Sequence, residues 1–130
     1  MESDRDLLMS PATRTPREVS ESYWEAECHR DLDGVVSHYH EDGVHESPGI
    51  VARGHEEIRR MFAENMAEYP GLEVTIVQEF PRGASSAIEF DAYLIDHDGR
   101  RHRVRGVNVV QVRDGRFVSV RSYEDAPAVE

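Results

Sequence analysis

Ser86-Ala87-Ile88-Glu89-Phe90-Asp91-Ala92-Tyr93-Leu94-Ile95-Asp96-His97 alternates apolar and polar side chains. Ile88, Phe90, Ala92 and Leu94 fall on one parity, and Glu89, Asp91 and Tyr93 on the other. A period of two marks a strand that buries one face. The same period runs on either side, through Leu72 to Phe80, Arg101 to Val112 and Arg116 to Glu124. The breaks are Pro81-Arg82-Gly83, Asp98-Gly99 and Asp114-Gly115. Asp-Gly between alternating runs is a strong hairpin signal. These connections are too short for crossover helices, so the four strands read as an antiparallel meander.

Upstream the period lengthens to 3.6. Thr15-Pro16-Arg17-Glu18 is a capping box with proline at the first helical position, and Val19, Tyr23, Ala26 and the stem of Arg30 follow at helical spacing. Asp31 caps a second, short helix with Leu32, Val35, Val36 and Tyr39 as its apolar face, ended by Asp42-Gly43. Val44 to Ser47 reads as a short extended piece closed by Pro48-Gly49. A third helix follows Gly54, with Ile58, Met61, Phe62, Met66 and Tyr69 on one side, and Pro70-Gly71 stops it. Helices first and a meander afterwards imply an α+β fold. The expected organisation is a flexible tail over 1–14, one domain over 15–126 and a short tail over 127–130.

Composition limits the function. The 130 residues suit one domain, and a chain of this length buries roughly two thirds of its unfolded surface without a metal or disulfide staple. Hydrophobic residues make up 38% and charged residues 32%, a globular balance. Fifteen basic against 26 acidic residues give a formal charge of −11, which repels a phosphate backbone. No basic stripe offsets it, so nucleic acid is not an expected partner. Cys28 is the single cysteine, which excludes an internal disulfide and fits a reducing compartment. No apolar run reaches the roughly 20 residues that span a membrane, and no apolar h-region stands at the start. A cytoplasmic location is expected.

The seven histidines suggest no metal site. His38 and His40 flank Tyr39, where i and i+2 point apart, and His55-Glu56-Glu57-Ile58-Arg59 lacks the second histidine of a zinc-protease helix. Glu56 and Glu57 suit the first turn of helix three.

Several stretches in this order resemble the SnoaL-like branch of the nuclear transport factor two-like superfamily. They are Tyr23-Trp24-Glu25-Ala26, Arg30-Asp31-Leu32-Asp33 and Gly54-His55-Glu56-Glu57-Ile58-Arg59 in the helical half. In the sheet they are Val104-Arg105-Gly106-Val107, Val112-Arg113-Asp114-Gly115 and Arg121-Ser122-Tyr123. The resemblance covers about residues 16 to 126. It implies a cone: a curved antiparallel sheet wrapped around a deep pocket closed by the three N-terminal helices. Its members include ketosteroid isomerase, limonene-epoxide hydrolase, polyketide cyclases and many proteins without catalysis.

The resemblance also implies roles. Tyr23 falls at the position of the isomerase tyrosine that stabilises an oxyanion. The isomerase base falls at Ser47, and its protonated acid at Asn108, where a carboxamide still donates a hydrogen bond without a shifted pKa. Asp91 matches the first acid of the epoxide hydrolase set, whose other positions hold Glu89 and Ser122. His45 shares the strand parity of Ser47, and an imidazole there is a candidate base. Glu89, Asp91 and Tyr93 share one face with Asn108, Ser122 and Glu124; facing in, as the family register favours, two carboxylates share one enclosed site and one has a raised pKa, whereas facing out they are solvated surface charge.

The expectation is therefore a cofactor-free acid–base enzyme acting on a small, largely apolar metabolite by isomerisation, cyclisation, dehydration or epoxide opening. Asp91 and His45 would move protons, Tyr23 and Asn108 would donate hydrogen bonds, and Ser47, Glu89, Tyr93, Phe62, Met66, Ser122 and Glu124 would line the pocket. The alternatives are a non-catalytic small-molecule binding protein or a dimerisation module of the same fold. Val107, Val109 and Phe117 are expected on the opposite face, where they imply a homodimer through the sheet.

Overall fold

A computed structural model describes residues 13–125 and 128–129; the expectations for 1–12, 126–127 and 130 lie outside it. Among the described residues there are three helices, two at the start and a third after the first two strands. Helix α1 spans Pro16–Cys28, α2 Leu32–Ser37 and α3 Gly54–Glu68. The strands are β1 (Tyr39–Ser47), β2 (Ile50–Arg53), β3 (Gly71–Arg82), β4 (Ser85–Ile95), β5 (Arg101–Arg113), β6 (Arg116–Glu124) and the short β7 (Ala128–Val129).

Local chemistry explains the helix ends. Thr15 accepts from the Glu18 backbone N–H at 3.1 Å, and the Glu18 carboxylate accepts from the Thr15 N–H at 2.9 Å. This reciprocal box satisfies two of the donors that a helix start leaves open. Asp31 accepts from the Gly34 N–H and starts α2. Between the two helices Arg30 adopts a left-handed φ of 55°. Its side chain then reaches α3, donating to the Tyr69 carbonyl from Nε and Nη2 at 3.0 and 2.7 Å and to Asn65 Oδ1 at 3.2 Å. One arginine thus fastens the end of α1 to the end of α3.

The strands form a curved open sheet in the order β2-β1-β6-β5-β4-β3, with β7 added to β5. Strands β3 to β6 make the expected antiparallel meander. The sheet as a whole is mixed, because β1 pairs with β6 in parallel. Strand β1 also begins at Tyr39 rather than Val44, so Tyr39 belongs to the sheet and not to the second helix. The pairing of β1 with β6 shifts between Tyr39 and Val44; Tyr39 and His45, six residues apart, share the buried side of β1.

The register of the meander decides which residues face the helices. Asp114-Gly115 forms a true two-residue turn with both φ values positive, and Arg113 pairs with Arg116. The connection around Asp98-Gly99 is longer. Asp96 Oδ1 accepts from the backbone N–H groups of Asp98 and Arg100, each at 2.9 Å, and Ile95 pairs with Arg101. That loop moves the pairing by one residue from a two-residue hairpin. Asn108 therefore lies opposite Ile88, and Glu89 opposite Val107. A slip of one residue exchanges the two faces of a strand.

The inner face accordingly carries Ile88, Phe90, Ala92, Val104, Val110, Val112, Phe117 and Val120, all buried against the helices. Phe117 does not join Val107 and Val109 on the outer face. A bulge between β5 and β6 next to Val112 reverses the parity, and Phe117 is 1% exposed in the core. Met66 packs against this core.

Candidate functional site

The helices close one side of the curved sheet and leave a cavity of about 350 Å³. Its apolar wall includes Trp24, Phe62, Leu72, Phe90 and Val104. Its polar groups come from separate elements. Helix α1 supplies Tyr23 and Glu27, β1 supplies His45 and Ser47, β5 supplies Asn108, and β6 supplies Ser122 and Glu124. A mostly apolar cavity with a few convergent polar groups is the usual form of a small-molecule site.

Glu27 is the residue that the sequence reading missed. It stands one turn after Tyr23 on the inward side of α1 and is 8% exposed. Burial raises its carboxyl from the ordinary 4.5 to about 7, against the opposing pull of the Tyr23 hydroxyl and the Arg30 guanidinium; the nearby Glu124 carboxylate adds a further upward push. Arg30 Nη1 lies 3.8 Å from Glu27 Oε1. The signal was present in the sequence: Tyr23, Glu27 and Arg30 recur at i, i+4 and i+7, the spacing of one helix face. It was obscured because an acid at such a position is usually assigned to solvent.

Behind Glu27 runs a buried polar line. Tyr23 has its acidity reduced by burial and by the Glu27 and Tyr39 side chains, so its hydroxyl stays protonated. Tyr39, also kept neutral by burial, places its hydroxyl 2.8 Å from His45 Nδ1. Burial lowers His45 from 6.5 to about 4. His45 is therefore a neutral imidazole at pH 7 and a weak base, which removes support for its expected proton-transfer role.

Phe62 packs edge-on against this line, with ring centroids 6.0 Å from Tyr23 and 5.4 Å from His45. Asn108 is 5% exposed, and its Oδ1 has no hydrogen-bond partner. Ser122 Oγ donates to Glu124 Oε2 at 3.4 Å, and burial raises the Glu124 carboxyl above its ordinary value.

Tyr23, His45, Ser47, Phe62, Asn108, Ser122 and Glu124 thus line one cavity. Asp91, Glu89 and Tyr93 do not. They occupy the other face of β4, because of the one-residue register described above. Asp91 there accepts a bidentate pair from Arg103 Nε and Nη2 at 3.0 and 2.7 Å, which holds its carboxyl below the ordinary range. Glu89 accepts from Gln78 at 2.7 Å. The Tyr93 ring lies under the Arg101 guanidinium, 4.2 Å from its centre. Met66 is also outside the cavity lining; Met61, Phe62 and Asn65 present the α3 face instead. Among the described residues no group of three His, Cys, Asp or Glu side chains is placed to hold a metal ion.

Fold and cavity together define a class: an α+β cone with a half-polar pocket between a helical lid and a curved sheet. The SnoaL-like domain model matches residues 20–120, and the chain belongs to that family. Comparison with curated protein sequences yields no match. Among solved structures, an LEH-like (limonene-epoxide-hydrolase-like) epoxide hydrolase of M. tuberculosis shares 27% identity, with 82% of this chain and 80% of that one covered and a TM-score of 0.71. The Δ5-3-ketosteroid isomerase of Mycobacterium sp. shares 22% identity over 93% of this chain and 99% of its own, with a TM-score of 0.78. No helix among the described residues is long and apolar enough to cross a membrane.

Proposed function

We propose that the chain is a cofactor-independent acid–base enzyme that takes a small, largely apolar metabolite into the cone. The observation that carries the reading is the buried Glu27 carboxyl, held at about 7 beside the Tyr23 hydroxyl on the pocket wall. A group poised near the working pH is the most effective proton donor and acceptor. Glu27 takes over the role expected of Asp91, and Tyr23 and Asn108 supply hydrogen bonds to a developing oxyanion. Ser47, His45 and Ser122 orient the ligand. The reaction class is epoxide opening, double-bond isomerisation, cyclisation or dehydration, in line with the activities of the two relatives. The sequence contains no lysine, so an imine route through a lysine is closed.

The test is turnover of cyclic epoxides, β,γ-unsaturated ketones and linear β-diketones, followed by chromatography between pH 5 and 9. Turnover in one of these classes is expected, with a rate midpoint near 7. Asp91→Asn serves as the control and is expected to keep full activity, since Asp91 lies outside the pocket. A large loss in Asp91→Asn would overturn the assignment.

A non-catalytic binding module is the second reading. The specific observation in its favour is Arg30, whose clamp on α3 gives Glu27 a structural partner. Binding without product across the whole substrate set would establish it.

The proposal includes a homodimer through the outer sheet face. Val77, Phe80 and Tyr123 expose 54%, 61% and 57% of their surface. Tyr123 pairs with Val107, and Phe80 with Ala87 next to Val109, which sets these five side chains on the outer face of the sheet. Sedimentation at micromolar concentration should show a dimer that Tyr123→Arg dissociates; a monomeric parent protein refutes it. The lone Cys28 suits a cytoplasmic setting for such a protein.

A further inference from the structure

The charge of the cavity lining is one-sided. Glu27 and Glu124 stand within it, and the exposed Glu64 and Glu68 border it from α3 at i and i+4. Among the described residues no arginine lines it. The nearest cation, Arg30, is committed to the Tyr69 carbonyl, Asn65 and the Glu27 carboxyl, so it offsets one acid and leaves three. The formal charge of −11 adds to the same field rather than opposing it.

The remaining features of the lining point the same way. Four aromatic rings meet the cavity: Tyr23, Trp24, Phe62 and Phe90. The Trp24 ring centroid lies 6.0 Å from Tyr23 and 5.5 Å from Phe90, so these three form a continuous π wall. Aromatic faces attract cations, tryptophan most of all. Asn108, 95% buried on the opposite wall, leaves Oδ1 without a donor. An unsatisfied buried acceptor costs free energy that a ligand N–H restores. Acidic side chains, aromatic faces and an unpartnered carbonyl oxygen all suit one kind of group. An anionic ligand such as a carboxylate or phosphate ester would meet repulsion from three sides.

We infer that the cone selects a cationic ligand, a protonated amine carried on an apolar body that the cavity of about 350 Å³ encloses. The inference rests on the proposed placement of the ligand in the cone and names its charge. The ammonium group lies beside Glu124 and the Trp24 ring, and the apolar body lies along Phe62, Leu72 and Val104.

The test uses three probes of one shape: 2-phenylethylammonium, the neutral 2-phenylethanol and the anionic 3-phenylpropanoate. Binding is read by calorimetry or by quenching of the single tryptophan, Trp24. The ammonium probe is expected to bind about tenfold or more tighter than the alcohol, and the carboxylate weakest of all. Glu124→Gln and Glu68→Gln should each weaken the ammonium several-fold and leave the alcohol unchanged, and the loss should shrink in high salt. Equal binding of ammonium and alcohol, or preference for the carboxylate, overturns the cationic inference and leaves the acid–base enzyme standing. Failure of all three to bind at millimolar concentration overturns the inference together with the placement of the ligand in the cone.

Discussion

Glu27→Gln is expected to lower turnover by about 10²–10⁴-fold, the usual contribution of a positioned proton-transfer group. Glutamine keeps the size of the side chain and its reach to Tyr23, but it cannot gain or lose a proton near pH 7. The rate midpoint near 7 should vanish with it. The same substitution should separate chemistry from folding, because the carboxyl leaves a signature in stability.

Glu27 titrates at about 7 in the folded chain against an ordinary 4.5. Between those values the folded state holds the extra proton. The stability linked to Glu27 is therefore complete below about pH 4.5 and lost as pH rises through about 7, a loss of about 3 kcal/mol. His45 has the opposite sign. Its folded value of about 4 lies below the ordinary 6.5, so its contribution is complete above 6.5 and lost as pH falls through about 4.

From pH 4.5 to 6.5 the two slopes oppose each other, and their sum is flat. Removing the carboxyl removes the falling slope. Relative to its parent, Glu27→Gln should gain stability in urea unfolding as pH rises across this window, by about 1.4 kcal/mol per unit. At pH 8 the variant should be more stable than its parent. A stability difference independent of pH, or retained turnover with its midpoint at 7, would refute the assignment of Glu27.

Phe62→Ala is the second large effect. Phe62 is 5% exposed on α3, and its ring meets Tyr23, Tyr39 and His45 with centroids 6.0, 6.4 and 5.4 Å away. Truncating a buried phenylalanine costs about 3–5 kcal/mol, a large share of the 5–15 kcal/mol that holds a typical domain together. The void opens towards the cavity, where water enters and offsets part of the loss, so the lower half of that range is expected. The urea midpoint should fall at unchanged slope.

Hydration brings a second consequence. His45 is neutral at pH 5 because it is dry, and water at the Phe62 position should move its titration back towards 6.5. Proton NMR of the imidazole would follow that shift. Destabilisation without movement of the His45 midpoint would mean that the cavity collapses rather than fills, and that burial of His45 does not depend on Phe62.

Much of the architecture was legible in the chain because the relevant signals are local. The capping box at Thr15 and Glu18, the Asp31 cap and the Asp114-Gly115 turn each concern neighbours within a few residues. The period-two strands from Leu72 to Glu124 lie within a residue or two of their observed limits. Tyr23, His45, Ser47, Asn108, Ser122 and Glu124 do converge on one cavity. Asp91, Glu89 and Tyr93 were placed on the wrong face by a turn that is longer than its Asp-Gly pair suggests. Asp96 takes both of its backbone bonds from inside that loop and fixes the register there.

By itself the sequence determined the three helices, the antiparallel meander that follows them and the family, since these follow from periodicity and from residues close in the chain. The tertiary structure alone decided which face of β4 meets the helices, that β1 lies parallel to β6, and that Glu27 is dry. The reason is physical. A strand pattern is symmetric to its two faces until pairing breaks the symmetry, and a carboxyl pKa depends on how much water the rest of the fold removes. Neither quantity is carried by neighbours in sequence. The proton chemistry proposed for this protein moved accordingly, from an aspartate on the sheet to a glutamate on the first helix.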